Sequence, residues 1–443
     1  MPFPKKSSGK LRPLQLAAII FLTVSGGPYG LEPLFTYVGT HGALLLLLIT
    51  PFLWDVPTIL TVLELNGLMP VTGGYYQWVK HALGIRWAFF EGWWTWLYTF
   101  LDLAIYPVLF VSYAAFFFPE MAHYKIPVCL VIIWSSALLN ILGIVPVGKA
   151  SVLLSLIVLI PFGLIFLFVL HPNHPVAALH PSFTPSLKGL SFPAISMGLY
   201  TVMWNFLGWD NATTYAGEVA RPVRSYLTSI CIAFILVFAV YLLTAYSVHR
   251  SGIDPGVLND GGFPVLGVLA AGRWLGILVA IGGMAGQLGL YSAVLLSVSR
   301  VPQVMADDQL LPTWFCSLHP RFRTPYVSII ASSAVVSVLV LFTFSDLIVM
   351  DIILYGAGLS LEFIALLVLR RREPHTHRPF RIPLGNTGLI LLFLLPVGTY
   401  ILAISGILIA SEKAGPALLA LAMLLSAALA WQFIRKRKKP AVA

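Results

Sequence analysis

The stretch TVSGGPYGLEP, Thr23 to Pro33, lies in the middle of the chain's first apolar segment, about residues 14–37. A helix that crosses a bilayer needs about 20 predominantly apolar residues. Here Gly26, Gly27, Pro28 and Gly30 interrupt the run, and the carboxylate of Glu32 follows them. Three glycines and a proline do not hold a straight helix, so the sequence predicts a break that frees backbone N–H and C=O groups. Lipid satisfies none of these groups, and the break must face protein, water or a bound solute. A kink of this kind can also serve helix packing alone. The presence of a second break separates the two readings.

Residues 194–220, AISMGLYTVMWNFLGWDNATTYAGEVA, form another apolar segment weakened at Asn205 and Gly208, with Asp210 directly after. Two interrupted helices therefore each carry a carboxylate just past the interruption. Paired breaks in the two halves of a membrane chain point to a transporter's binding site.

Composition agrees. Of 443 residues, 58% are hydrophobic and only 10% charged, with mean hydropathy +0.89. The expected class is an all-α integral membrane protein. Twelve spans are predicted at about 14–37, 44–65, 87–117, 126–146, 150–170, 194–220, 226–248, 265–299, 326–344, 346–369, 388–409 and 414–433. With both termini cytoplasmic, 22 of the 27 Lys and Arg residues fall on the inner side, in the segment 1–13, the inner loops including 370–387, and the tail 434–443. Lys125, Lys188, Arg250, Arg273 and Lys413 fall outside. That asymmetry fits the positive-inside rule, and the expected location is the plasma membrane. The net charge of +10 is thereby assigned to topology and anionic lipid, and a nucleic-acid partner is excluded. The first span is too long for a cleaved signal and lacks a small-residue cleavage site. Cys129, Cys231 and Cys316 have no metal or redox spacing, and no GxSxG, HExxH, P-loop or CxxC pattern occurs. No catalytic residue, metal or cofactor is expected. The outer loop 171–193 carries His171, His174 and His180 among prolines and reads as solvated.

Ionisable residues inside spans are costly and mark pathways. Glu91, Thr95, Tyr98, Asp102 and Tyr106 form one polar stripe on the third span. Asp351, Tyr355, Gly358 and Glu362 repeat the device on the tenth. Asp55 and Glu64 lie in the second. Each single carboxylate has the plainer reading of a hydrogen-bonded structural group. Glu218, near Arg221, reads as an inner-side ion pair and gating candidate. Gly282 and Gly286 make a face for close helix packing.

VSGGPYGLE, PVTGGYYQWVKHALG (70–84), EGWWTWLYTFLDLAIYPVLF (91–110) and MWNFLGWDNATTYAGEVARP (203–222) resemble the amino acid–polyamine–organocation transporter superfamily, most of all its polyamine:proton symporter branch. MADDQLLPTWFCSLHPRFRTP (305–325) and HRPFRIP (377–383) resemble superfamily loops. The resemblance implies a LeuT-type fold: two five-helix inverted repeats, 14–170 and 194–369, with helices one and six broken around the substrate and two helices at 388–433 appended. Carried over by motif, the substrate site comprises Gly26, Gly27 and Glu32, then Asp102 and Tyr106, then Trp204, Trp209 and Asp210. Asp55 is left unassigned.

Amino acid carriers of this fold offer the free amides of a half-helix to a substrate carboxylate. Glu32 beside such an end repels a carboxylate and welcomes an ammonium. Asp102 and Asp210 add negative charge, and Tyr106, Trp204 and Trp209 suit an amine or its polymethylene stem. The expected function is proton-coupled import of polyamines or other cationic amines, and the alternative is a proton-coupled or exchanging amino acid permease. A channel, sensor or membrane enzyme is a third class, and an enzyme lacks its catalytic constellation. Glu32 is the leading proton-coupling candidate, because burial opposes its ionisation while the half-helix end and an arriving ammonium favour it. Asp102 is the second. The sequence names no partner subunit.

Overall fold

The computed structural model describes residues 11–169, 171, 185–219, 222–258, 262–409 and 414–438. Arg221 and most of the His-bearing loop, with His174 and His180, lie outside them. Sixteen α-helices and a few short turns make up the described residues, and no β-sheet occurs among them.

The first predicted span is two pieces. Helix α1 (Pro13–Val24) ends at Ser25, and α2 (Glu32–Thr50) starts after a non-helical stretch in which Gly26, Gly27 and Gly30 all take positive φ. Gly39 (φ 63°, ψ −179°) ends the second half-helix and turns the chain into the next run, which continues through a π-type turn at Pro51–Asp55 into α3 (Val56–Leu68). The sixth segment breaks as well. Helix α8 (Phe192–Asn205) stops before Gly208 (φ 98°), and residues beyond it form only 3₁₀ turns at Asn211–Thr214 and Ala216–Glu218.

Two boundaries differ from the sequence reading. Residues 70–84, between two predicted spans, contain a helix, α4 (Gly74–Leu83), too short and polar to span. Residues 263–298 are two helices, α10 (Phe263–Ala271) and α11 (Arg273–Val298), because Gly272 (φ 91°) turns the chain between them. The remaining helices are α5 (Ile85–Ala114), α6 (Lys125–Ile141), α7 (Ile144–Val169), α9 (Pro222–Ser251), α12 (Arg300–Asp307), α13 (Tyr326–Leu339), α14 (Phe344–Arg372), α15 (Asn386–Ile409) and α16 (Ala414–Lys438). Eight helical runs among the described residues are long and apolar enough to cross a membrane, and α1, α6 and α13 are shorter apolar helices.

Small residues let the first break sit deep in the bundle. A Cβ on Gly286 would stand 2.7 Å from the Gly26 carbonyl, and one on Gly282 would strike the Tyr29 hydroxyl. The α11 glycine face is therefore a packing surface for the break, as its spacing predicts. Helices α5 and α14 pack along their lengths, so the two predicted polar stripes face each other; a Cβ on Gly358 would lie 3.1 Å from Glu91 Oε1.

The end of the bundle that carries the basic loops is tied shut. Leu11 N donates to the Glu218 carbonyl at 3.2 Å, and Gly73 N to that of Thr214 at 2.8 Å. Arg300 reaches Glu218 at 2.8 Å, and Lys80 and Tyr76 both reach Asp308 at 2.6 Å. Glu64, fully buried, takes a bidentate contact from Arg370, a 3.3 Å contact from Arg378 and the Ile382 N–H at 2.9 Å. The HRPFRIP loop is thus latched to α3.

Candidate functional site

The two breaks meet and are sewn together by uncharged groups. Asn205 Nδ2 donates to the Gly30 carbonyl at 3.1 Å, across from one break to the other. The Tyr241 hydroxyl on α9 donates within reach of both Ser25 Oγ, 2.7 Å, and the Asn205 carbonyl, 2.8 Å. A small cavity of about 10 Å³ lies at this junction, lined by Thr23, Val24 and Ser25 of the first break, Trp204, Asn205 and Leu207 of the second, Asp102 and Tyr106 of α5, and Leu290 of α11. That is room for about one water molecule and not for a larger solute.

Asp102 is the charged group of that lining. The Tyr106 hydroxyl donates to its Oδ2 at 2.5 Å and the Trp204 indole N–H to its Oδ1 at 3.2 Å. The rings of Tyr106 and Trp204 lie 6.3 Å apart at 34°. Asp351 from α14 is close enough to act on Asp102, and neither of its buried oxygens has a hydrogen-bond partner. No Lys, Arg or His lines the cavity.

The backbone of the first break is already occupied. Gly26 N bonds to the Phe21 carbonyl at 3.1 Å, Gly27 N to Ser25 Oγ at 3.1 Å, and Gly30 N to Glu32 Oε2 at 2.7 Å. The Tyr113 hydroxyl donates to Glu32 Oε1 at 2.7 Å. Glu32 therefore braces the break and does not line the cavity.

Comparison with known proteins settles the family. The amino acid permease family profile matches residues 11–429, nearly the whole chain. The chain belongs to the amino acid permease family. This permease is 35% identical over 396 residues to a probable polyamine transporter of Arabidopsis thaliana, covering 88% of this chain and 81% of the relative. It is 30% identical over 443 residues to polyamine transporter PUT1 of Oryza sativa subsp. japonica, covering 99% and 81%. It is 23% identical over 345 residues to the serine/threonine exchanger SteT of Bacillus subtilis, covering 73% and 74%. The permease is thus a multi-pass membrane transporter and not an enzyme.

Of the predicted site residues, Asp102, Tyr106 and Trp204 come together at the cavity. Gly26 and Gly27 adjoin it through Ser25. Trp209 points elsewhere: its indole N–H donates to Asp55 Oδ1 at 3.2 Å, giving Asp55 a partner in the second break. Asp210 accepts from Tyr355 of α14 at 2.8 Å and belongs to a separate acidic group described below. Glu218 holds Arg300; its predicted neighbour Arg221 is outside the described residues. Sequence reasoning missed Ser25, Tyr241 and Tyr113. Each is a lone hydroxyl in an apolar run, and only its partner in another helix gives it a role.

Proposed function

We propose that this permease imports polyamines or other cationic amines by proton symport, through alternating access, across a plasma membrane with both termini cytoplasmic. The reading includes twelve spans in a LeuT-type arrangement, with 14–170 and 194–369 as inverted repeats around the two breaks and 388–433 appended. Asp102 is the ammonium ligand. Tyr106 and Trp204 hold Asp102 and offer ring faces to the alkyl stem.

One observation carries the choice of an amine over an amino acid. The three amides of the first break that would receive a substrate carboxylate are bonded to Phe21, Ser25 and Glu32. A carboxylate arriving there must displace its own kind at Glu32 and sit near Asp102. Like charges about 4 Å apart cost roughly 4 kcal/mol at an effective dielectric of 20. An ammonium gains the same contact instead, which offsets the loss of its hydration.

The second reading, an amino acid permease or exchanger, is favoured by the likeness to SteT. It requires those amides to be released when substrate enters. Uptake into proteoliposomes of putrescine, spermidine, arginine, leucine and alanine, with and without a proton gradient, separates the two. Gradient-dependent accumulation of putrescine or spermidine is the expected result. Accumulation of leucine or alanine, uninhibited by polyamines, would establish the second reading.

A further inference from the structure

Below the cavity, toward the basic end of the bundle, lies a second acidic group that the amine site does not use. Along α5, Glu91 is eleven residues before Asp102, about 16 Å at 1.5 Å per residue. Glu362 stands at the same separation from Asp351 on α14. Glu91, Asp210 and Glu362 are at most 3% exposed. The charges that act on Glu362 come from Asp210 and Glu91, and its carboxyl is within hydrogen-bonding reach of Asp210. Two carboxyl groups so placed form a hydrogen bond only by sharing a proton, because neither carboxylate can donate.

Tyr75 comes from α4, Glu91 and Tyr98 from α5, Tyr355 and Glu362 from α14, and Asp55 acts on Tyr355 from the π-type turn. Thr95 donates to Glu91 Oε1 at 3.3 Å and Tyr355 to Asp210 Oδ1 at 2.8 Å. Oε2 of Glu91 and Oε2 of Glu362 have no donor. The Tyr75 hydroxyl, fully buried and without a hydrogen-bond partner, is set against all three carboxyls. Such a group is costly unless a proton or cation comes and goes there.

We infer that Glu362, sharing a proton with Asp210 and flanked by Glu91, is the proton-carrying site of this permease, separate from the amine site at Asp102. This rests on the transport reading above and deepens its proton coupling. The link between the sites is the second break itself. Trp204 touches Asp102 at one end of it, and Asp210 contacts Glu362 at the other. Tyr98 lies between, donating to Asn211 Oδ1 at 2.8 Å and acting on both Asp102 and Asp210. When the break swings to open the basic end, Asp210 leaves Glu362 and water enters. The Glu362 O–H bond then breaks, and the proton passes to that water. Substrate and proton thereby bias one equilibrium.

The test reconstitutes wild type, Glu362→Gln and Glu91→Gln in proteoliposomes. It measures substrate counterflow, gradient-driven accumulation, and substrate-evoked proton influx with an internal pH dye. Both variants are expected to keep counterflow within about threefold, while accumulation and proton influx fall by roughly tenfold or more. Counterflow also shows that each variant folds. Undiminished proton influx in both variants overturns the inference. So does an equal loss of spermidine affinity and counterflow, which would make the cluster a second ammonium station. If wild type moves an amino acid rather than an amine, the same assay with that substrate decides, and the amine reading alone fails. If wild type moves no protons with any substrate of the panel, the inference is overturned.

Discussion

Glu32 and Asp102 are both buried carboxylates beside a helix break, and their partners set them apart. Glu32 accepts from a backbone amide and from Tyr113, so it holds the shape of the break. Asp102 accepts from two side chains that line the cavity with it, so its oxygens face the solute path. The sequence placed Glu32 first for proton coupling because it sits just past the interruption; which groups occupy its oxygens is a tertiary fact with no local signal. Glu32→Gln keeps an acceptor for Gly30 N–H and loses the one for Tyr113. The expected outcome is a stability loss of about 1–3 kcal/mol in thermal unfolding, with the pH profile of uptake unchanged. A flattened profile would return the coupling role to Glu32. The two polar stripes, by contrast, were legible from helical spacing alone. What spacing does not say is that they face each other, so that Glu91 meets Gly358 and Asp210 inserts beside Glu362.

Among the elements, the broken helices and the glycine face of α11 follow from residue type, since only glycine tolerates the positive φ and close approach seen there. Gly286→Val drives two methyl groups toward the Gly26 carbonyl and Val158. A loss of roughly 2–3 kcal/mol is expected, read as a lower unfolding temperature in detergent, together with slowed transport. The latch of the basic loop was not legible, because Glu64 and Arg370 are 306 residues apart. Both are buried, and breaking such a pair strands a charge. Arg370→Ala is expected to cost about 3–5 kcal/mol, and the triple variant Glu64→Leu/Arg370→Met/Arg378→Met, which also removes the second cation on Glu64, much less. Equal instability of the single and triple variants would show that the latch acts through packing and not through its charges. The turn at Gly272 is hidden for a simpler reason: residues 263–298 are mostly apolar and hold seven glycines, so no single one of them marks a turn.

At the scale of the whole molecule, the breaks and the polar stripes converge above a basic end that is tied by ion pairs and backbone bonds. The orientation rests on charge asymmetry, and single-cysteine labelling from each side checks it. Residues 171–193 are expected to react from outside and 305–325 from inside; labelling of both loops from one side would contradict the twelve-span topology. In the proposed transport the Asp102 carboxylate selects an ammonium. The most direct measurement is equilibrium binding of labelled spermidine to purified wild type and Asp102→Asn, with putrescine and leucine as competitors. Loss of a buried charge partner should weaken spermidine by about 2–4 kcal/mol, roughly 30- to 1,000-fold in Kd, with putrescine competing in wild type and leucine not. Unchanged spermidine affinity in Asp102→Asn, or effective competition by leucine, would contradict the account.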